Sequence, residues 1–426
     1  MEISESLGIA EVRPSPHRAI VATVIGNGLE WFDFTVYSYF AVILAKVFFP
    51  TGNDFSSLLL AVATFGVGFF MRPIGGIVLG VYADKKGRKA AMTLTIMIMA
   101  AGTTLIAVTP SYESIGPLAP LIIVVARLMQ GFSAGGEMGT AAAFLTEHAP
   151  EGRRAYYSSW VLSSIGFAVL LGAAAGTFVT TALDPASVKS WGWRLPFLLG
   201  ALIGPVGFYF RSRITETPVY EHTTHRVTAS PLRESITTHG RDTFGCFAMV
   251  MLWTVAIYVL LFYMPTYAAS VLHLPQSDGF ISGMVGGFAM MCSAPLAGLL
   301  ADRVGPGRVL APSAVLVFLL AWPMFTYINA APGLVSLLAF QAVFGILTGT
   351  YTGPILYAFS RRFPSPVLAT AISIAYNFGV TVFGGFASFF VTWLIVATGS
   401  TVAPAYYVMV GAAFSLVGMW LLRRVD

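Results

Sequence analysis

The sequence predicts an all-α membrane protein in which twelve transmembrane helices form two pseudo-symmetric six-helix bundles. Hydrophobic residues make up 56% of the 426 residues and charged residues only 10%, so lipid must cover much of the apolar surface. Windows of about 20 residues select twelve apolar segments. A short charged segment at 80–89 returns in weaker form at 298–305, about half the chain length further on. Such repetition is typical of membrane transporters built from two related halves.

The predicted spans follow one another with short polar connections. In chain order they are 19–44, 56–83, 90–110, 118–146, 155–183, 194–211, 243–269, 279–301, 308–328, 333–359, 367–397 and 404–422. Residues 19–211 are therefore predicted to form the N-terminal bundle and residues 243–422 the C-terminal bundle. Residues 1–18 and 423–426 are predicted to be tails. We interpret residues 212–242 as a solvated cytoplasmic linker, with a regulatory role as the alternative.

The distribution of basic residues predicts the orientation in the membrane. Of the 24 Lys and Arg residues, nineteen lie in one set of loops and tails, and three (Lys46, Lys189 and Arg194) lie in the other set. By the positive-inside rule the first set is cytoplasmic, which places both termini in the cytoplasm. The net charge of +5 follows from this bias, and we expect no binding to nucleic acid.

The sequence offers little for cofactor, metal or enzyme chemistry. No Walker-type phosphate loop is present, so ATP is not expected as the energy source. The two cysteines, Cys246 and Cys292, predict neither a disulfide framework nor a metal site. No nucleophile and base stand in a plausible pocket, so we expect neither an enzyme nor a bound cofactor or metal.

The charged segment between spans 2 and 3 resembles the signature loop of the major facilitator superfamily. Asp84 is predicted to accept hydrogen bonds at a helix N-terminus of the other half, where the helix dipole is positive. Arg88 is predicted to pair with Glu147 at the end of span 4. These contacts, with Asp302 in the second copy, would latch the halves on the cytoplasmic side. The second copy has Pro306 and Gly307 in place of two basic residues, which predicts a weaker latch; the alternative is a loop kept only for topology.

Charged residues inside spans are costly, so each is a candidate functional residue. They share a location in the N-terminal half and are Glu30, Asp33, Arg72, Arg127 and Glu137. Helical spacing places Asn27, Glu30, Asp33 and Tyr37 on one face of span 1. It likewise places Arg127, Gln130 and Glu137 on one face of span 4. Because neither polar face suits lipid, the two faces are predicted to meet each other or a shared cavity.

The segments around these charges resemble the metabolite:proton symporter family within the major facilitator superfamily. The resemblance covers most of the chain and rests on segments in the matching order, namely 27–34, 70–76, 127–137, 191–197 and 383–386. Segments 65–75 and 265–267 are most similar to the citrate and tricarballylate carriers. Relatives that carry dicarboxylates, shikimate, or proline and betaine share much of the same sequence. Residues 366–369 depart from the family pattern at the cytoplasmic end of span 11.

The chemistry of the charged side chains divides their roles. An arginine stays protonated and holds carboxylates through a planar fork, so Arg72 and Arg127 are candidate substrate-binding residues. Asp33, Glu30 and Glu137 can exchange protons and are candidate proton-coupling residues, with a gate-stabilising role as the alternative for Glu137. Substrate carboxylate would compete with an acid for an arginine, and the freed acid would take up a proton. The alternative is that both arginines only neutralise the acids in a structural network.

Polar residues complete the candidate substrate site. Asn27, Tyr37 and Gln130 share the two polar faces of the N-terminal half. In the C-terminal half, the resemblance implies that spans 7 and 10 border the site, which makes Tyr258, Gln341 and Tyr351 candidates for substrate contact. Each of these tyrosines has packing, or a place at the membrane interface, as its alternative role.

These patterns predict a proton-coupled symporter of the bacterial inner membrane that imports a small carboxylate, with citrate or tricarballylate as the first candidate. We expect lipid, the carboxylate and the proton as its partners, and a monomer as its state. Two alternatives remain. One is a carrier of a zwitterionic osmolyte, since three acids face two arginines inside the spans; the other is a membrane sensor or channel on the same fold.

Overall fold

A computed structural model describes residues 16–86, 88–135, 149–212, 237–363 and 365–422. Side chains are described in these ranges except at 16–26, 29, 80, 81, 83–89, 91, 92, 203, 206–212 and 365–369. Every regular element within these ranges is a helix. The candidates Glu137 and Glu147 lie outside the described residues, as do the side chains of Asp84 and Arg88 and most of the linker.

The helices of the described residues occur at the positions of the predicted spans. Those of the N-terminal half, spans 1 to 6, are Pro16–Tyr39 with Ala41–Phe48, Asp54–Val67 with Met71–Lys86, Arg88–Val108, Leu118–Ala134, Arg154–Ala182 and Arg194–Ser212. Those of the C-terminal half, spans 7 to 12, are Gly240–Val255 with Met264–Ser270, Gln276–Val304, Gly307–Ala330, Leu334–Thr352 with Ile355–Ser360, Ser365–Gly379 with Ala387–Thr398, and Ala403–Leu422.

Length and hydropathy agree with a membrane setting. Within the described residues, eight helices are long and apolar enough to cross a membrane, and a ninth is counted when the bent pair of span 1 is taken together. Span 7 is the central one, because its most apolar window is 89% buried inside the protein, against 39–61% for the other seven. The exposed apolar side chains of the outer spans, such as Leu202, Leu296 and Trp420, suit contact with lipid.

Several helices are interrupted where the apolar pattern runs on. Span 1 bends by 68° between Glu30–Tyr39 and Ala41–Phe48. A single turn of 3-10 helix, Gly68–Phe70, interrupts span 2 just before Arg72. Spans 7 and 11 contain π-helical segments, Ala256–Phe262 and Val380–Gly385, which contact each other. Such interruptions are frequent at functional sites, because they change the direction in which side chains leave the helix.

The two halves meet along two main seams. Span 5 packs against span 8, where Gly166 and Gly287 allow the backbones to approach closely and Ser163 Oγ donates to the Met291 carbonyl (2.7 Å). Span 2 packs against span 11, where Thr381 Oγ1 donates to the Phe69 carbonyl (3.0 Å). Side chains of spans 1, 2, 4, 7 and 11 pack together in the centre of the protein.

Candidate functional site

Close packing of spans 2 and 4 positions the two buried arginines. A Cβ added at Gly68 would lie 2.6 Å from the Arg127 carbonyl oxygen, and one at Gly135 would lie 2.0 Å from the Arg72 carbonyl oxygen. A Cβ added at Gly131 would lie 1.7 Å from the Gly68 carbonyl oxygen. Only glycine permits backbones this close, so the small residues of both helices bring the two guanidinium groups into one central region.

Arg127 is fully buried and lies against aromatic rings. Its Cζ atom is 4.6 Å from the Tyr37 ring centroid, 4.8 Å from that of Phe65 and 4.9 Å from that of Phe34. Its Nη1 atom donates to Gln130 Oε1 at 2.6 Å. The ring faces stabilise the cation by about 0.5–2 kcal/mol each without supplying hydrogen-bond acceptors.

Arg72 is equally buried and shares one of these rings. Its Cζ atom lies 4.6 Å from the Phe69 centroid, 5.0 Å from Phe34 and 5.7 Å from Trp31. Phe34 therefore lies between the two guanidinium groups. Arg72 also lines a small pocket, together with Asn27, Glu30, Trp31, Ala134 and Tyr376. The side chains pack so closely here that the pocket has no room for a water molecule in this conformation, whereas usual ligand pockets measure at least ~300 Å³.

Asp33 lies at the other side of Arg127 and is 3% exposed. Thr103 Oγ1, from span 3, donates a hydrogen bond to Asp33 Oδ2, and Gln130 Nε2 donates to Thr103 Oγ1 at 2.9 Å. The polar faces of spans 1 and 4 therefore face each other, as the sequence predicts, but span 3 supplies the residue that joins them. Span 6 closes the cluster with Gly200, where an added Cβ would lie 2.3 Å from Asp33 Oδ1.

Both arginines keep their carboxylate-binding edge open. Among the described residues, Nε and Nη2 of Arg72 and Nε and Nη2 of Arg127 are buried without a hydrogen-bond partner. These two atoms form the edge of a guanidinium group that holds a carboxylate through two parallel hydrogen bonds. A buried donor without a partner costs about 1–3 kcal/mol, so these guanidinium donors favour an anionic ligand that accepts from them.

The remaining N-terminal candidates support this cluster. Asn27 Nδ2 donates to Ser164 Oγ (2.8 Å) and to the Val161 carbonyl (3.1 Å), which fixes span 1 against span 5. Tyr37 covers Arg127 with its ring, while its hydroxyl donates to the Ala61 carbonyl at 3.2 Å. Asn27 thus lines the pocket, whereas Tyr37 contributes a ring face and not its hydroxyl.

The candidates of the C-terminal half lie at different distances from the cluster. Tyr258 packs against Trp31, Phe65 and Phe69, and its buried hydroxyl has no hydrogen-bond partner among the described residues. Gln341 of span 10 lies against Gly286 of span 8. Its amide atoms Nε2 and Oε1 likewise have no hydrogen-bond partner among the described residues. Tyr351 points elsewhere, because its hydroxyl bonds to the Met249 carbonyl (2.9 Å) and to Ser415 Oγ.

Contacts between the halves occur at both ends of span 8. At one end, Asp302 caps span 5, since its carboxylate accepts from the backbone N–H groups of Ala155 and Tyr156, both at 2.9 Å. At the other end, Phe280 stacks on Tyr39 at 5.8 Å, and Ser38 Oγ donates to the Phe262 carbonyl at 3.2 Å. With Arg72, Arg127 and Asp33 at most 3% exposed, this conformation closes the central cluster to water.

Two residues of the cluster are not found by searching the spans for charged residues. Thr103 is neutral and lies in an apolar helix, so nothing in its local pattern marks it. Tyr376 lines the pocket from span 11 and is one of several aromatic residues there. The glycine spacing of span 4, with Gly131 and Gly135 four residues apart, is a helix-contact signal that would have indicated its close approach to span 2.

Comparison with known proteins agrees with the fold. Residues 23–388 match the family model of the Major Facilitator Superfamily. The chain is 36% identical over 406 residues to a citrate-proton symporter of Klebsiella pneumoniae, a match that covers 95% of this chain and 91% of the relative. It is 32% identical over 412 residues to the proline/betaine transporter of Escherichia coli strain K12, covering 94% and 82%.

A solved structure with a similar fold is the partially occluded, inward-open xylose transporter XylE from E. coli. The TM-score is 0.76 at 16% identity, with 96% of this chain and 98% of that chain covered. The fold, the family model and the relatives at more than 30% identity lead to one assignment. The chain is a multi-pass membrane protein that belongs to the Major Facilitator Superfamily and, within it, to the metabolite:proton symporter family.

Proposed function

We propose that the protein is a proton-coupled symporter that imports a small polycarboxylate, with citrate as the first candidate. The observation that carries this proposal is the pair of buried arginines, each with an open Nε–Nη2 edge, in one closed central cluster. Two such edges accept two carboxylates at once. A monocarboxylate would leave one edge unsatisfied, so the arrangement favours substrates with at least two carboxyl groups.

Charge balance gives a physical reason for proton coupling. Within the protein, the charges of Arg72 and Arg127 are balanced by those of Glu30 and Asp33. A polycarboxylate adds at least two negative charges to a region closed to water, and an unbalanced charge there is costly. Protonation of Asp33 removes the negative charge of its carboxylate, which offsets one charge of the substrate and releases Arg127 to bind it. The carboxylate and the proton therefore bind best together, which couples their fluxes.

The named relatives support the substrate class. Relatives from Klebsiella pneumoniae and Salmonella typhi, at 36% and 33% identity, are citrate-proton symporters. We further propose an inner-membrane location with both termini in the cytoplasm, on the strength of the basic loops. Two halves, residues 19–211 and 243–422, joined by linker 212–242, would then rock about the seams between spans 5 and 8 and spans 2 and 11.

The gating residues take their roles from this orientation. Asp302 caps span 5 on the proposed cytoplasmic side, and Asp84 would cap span 11 in the related way, since helix Met71–Lys86 contacts helix Ser365–Gly379. Arg88 with Glu147 would add to this latch, and Glu137 would stabilise the gate or take part in coupling. When the cytoplasmic side opens, Tyr258 and Gln341 are the C-terminal residues placed to meet the substrate.

A zwitterionic osmolyte is the second candidate. Aromatic rings bind quaternary ammonium groups, and Trp31, Phe34, Phe65, Phe69 and Tyr258 surround the central cluster. The proline/betaine transporters among the relatives make this candidate concrete. Against it, guanidinium groups already lie over Trp31, Phe34, Phe65 and Phe69, so a trimethylammonium group would have to displace a cation of the same sign.

Uptake into proteoliposomes tests the proposal. Labelled citrate is supplied with an imposed inward proton gradient, with or without a protonophore, and with unlabelled tricarballylate, succinate, acetate or betaine as competitor. We expect concentrative uptake that the protonophore abolishes and that tricarballylate and succinate inhibit. Arg72→Gln and Arg127→Gln should each lower citrate affinity, while Tyr407→Phe, which removes a partly buried hydroxyl bonded to the Phe383 carbonyl, should not.

Other outcomes would contradict it. Inhibition by betaine and acetate but not by succinate would exclude the two-carboxylate site and favour the osmolyte carrier. Citrate uptake that ignores the proton gradient would exclude symport with protons.

A further inference from the structure

Thr103 is the neutral residue through which the proposed proton acceptor reaches the proposed substrate ligand. Arg127 Nη1 donates to Gln130 Oε1 at 2.6 Å, Gln130 Nε2 donates to Thr103 Oγ1 at 2.9 Å, and Thr103 Oγ1 donates to Asp33 Oδ2. All four side chains are at most 3% exposed to solvent. Asp33 and Arg127 thus communicate through two uncharged side chains.

The direction of this chain of hydrogen bonds is fixed by its ends. A guanidinium group only donates and an ionised carboxylate only accepts. The Gln130 amide must therefore turn its oxygen to Arg127 and its nitrogen to Thr103. The Thr103 hydroxyl must in turn accept from Gln130 and give its proton to Asp33. This direction applies when Asp33 is ionised.

Thr103 has a second acceptor for its proton. Its Oγ1 atom lies 3.1 Å from the Met99 carbonyl oxygen, one turn earlier in the same helix. When Asp33 binds a proton it becomes a donor, and the Thr103 hydroxyl can then turn its own proton to Met99 and accept from Asp33 instead. A hydroxyl can make this exchange, whereas a methyl group of the same size cannot.

The surroundings of Asp33 leave this route prominent. Span 3 contributes Thr103, span 4 contributes Gln130 and Arg127, and span 6 contributes Gly200, which has no side chain. Arg127 is the charged group whose field acts on Asp33, and Glu30 lies one turn away on span 1. The protonation of Asp33 therefore reaches Arg127 in two ways, directly through its charge and by hydrogen bonds through Thr103 and Gln130.

We propose that Thr103 is a positioning residue for proton coupling, and that its hydroxyl, with the Gln130 amide, transmits the protonation state of Asp33 to Arg127. This inference rests on the proposed symport of a carboxylate. With Asp33 ionised, the relay holds Gln130 on Arg127. With Asp33 protonated, Thr103 turns its proton to Met99 and its oxygen accepts from Asp33 as well as from Gln130, so Gln130 is less firmly held and Arg127 is free to turn its donors to the substrate.

The experiment separates carrying from coupling in the full-length protein. Proteoliposomes are made with wild type, Thr103→Val, Thr103→Ser and Thr104→Val. Thr104 is the matched control, because its hydroxyl bonds only to its own helix, at Ala100 O (2.7 Å), on an exposed face. Two assays use labelled citrate: exchange between equal internal and external pools without a gradient, and accumulation driven by an inward proton gradient.

We expect Thr103→Val to retain exchange while its gradient-driven accumulation falls by about tenfold or more, the effect of one buried hydrogen bond on an equilibrium. The pH dependence of citrate affinity should flatten in the same variant. Thr103→Ser restores the hydroxyl and should restore both properties, and Thr104→Val should match wild type.

Three results would overturn the inference. They are normal accumulation by Thr103→Val, parallel loss of exchange and accumulation in that variant, and failure of Thr103→Ser to restore coupling. A wild type that exchanges no citrate would instead remove the proposed function on which the inference depends, and the inference with it.

Discussion

Phe34 illustrates how single side chains set the properties of the central cluster. Its ring lies about equally far from the two guanidinium carbons, 5.0 Å from Arg72 and 4.9 Å from Arg127. A ring face attracts both cations and offers neither a hydrogen-bond acceptor. The aromatic rings therefore hold the arginines in place without occupying their hydrogen-bond donors, which stay available for a ligand.

The first prediction concerns the shape of the cation at position 127. Arg127→Lys keeps the charge but removes the planar fork that reaches Gln130 and the substrate together. We expect citrate affinity to fall about 10- to 100-fold, the effect of one lost charged hydrogen bond of about 1.5–3 kcal/mol. Equilibrium binding of citrate to purified protein measures this change, and affinity within twofold of wild type would argue against a bidentate contact.

The charged members of the cluster could be predicted from the sequence, and its neutral members could not. Asp33 and Arg127 are recognisable because ionised groups inside spans are costly. Thr103 is one hydroxyl among many that bond to their own helix, and its contact with Asp33 depends on how spans 1 and 3 are placed. The same limit applies to Tyr351 and Tyr258, which both lie inside predicted spans. Tyr351 lies away from the arginines, whereas Tyr258 lies beside the aromatic rings that surround them.

At the scale of elements, hydropathy fixes the extent of the spans but not their interruptions. Span 5, predicted at 155–183, is observed as Arg154–Ala182, because its ends coincide with a change from apolar to polar residues. The 68° bend after Tyr39 and the π-helical segments of spans 7 and 11 lie inside continuous apolar runs. The two π-helical segments contact each other, and contacts between helices are not contained in a hydropathy window of one helix.

The second prediction concerns the cap that Asp302 places on span 5. Asp302→Asn keeps one acceptor oxygen but loses the charge and the second acceptor, so one of the Ala155 and Tyr156 N–H groups loses its partner. We expect about 1 kcal/mol of weakening, which shifts the population toward the conformation open at this end about fivefold. Distances between spin labels placed on spans 5 and 8 at this end report that shift.

Asp184→Asn is the control for this change. Asp184 also caps a helical turn, through the N–H groups of Ala186 and Ser187 (both 3.0 Å), and these hydrogen bonds together with that from Ser187 Oγ hold the pKa of its carboxyl below the usual value. It lies within one half of the protein, so its loss should leave the distances unchanged. Equal shifts in both variants would mean that Asp302 acts on stability and not on the gate.

For the whole molecule, the fold requires that contacts between the halves at one end break while those at the other end persist. The third prediction uses the end that carries Ser38, where Thr266 Oγ1 donates to the Ser38 carbonyl at 3.4 Å. After replacement of Cys246 and Cys292, a short bifunctional thiol reagent that links Ser38→Cys to Thr266→Cys should abolish citrate uptake. Cleavage of the link should restore it.

A cross-link within one half provides the comparison. Thr51 Oγ1 and Ser57 Oγ lie 3.0 Å apart in the N-terminal half, so linking Thr51→Cys to Ser57→Cys should leave uptake intact. Continued transport by the Ser38–Thr266 cross-linked protein would mean that this end does not open during the cycle.

The glycine contacts between spans 2 and 4 have a consequence for selectivity. Because Gly68 and Gly135 lie against the opposite arginine's carbonyl oxygen, Arg72 and Arg127 sit on one rigid unit within a single half. The distance between the two guanidinium groups then stays the same, whichever side of the membrane the cluster faces. The protein would accept the same cargo for entry and for exit, and the ion gradient alone would decide the direction of travel.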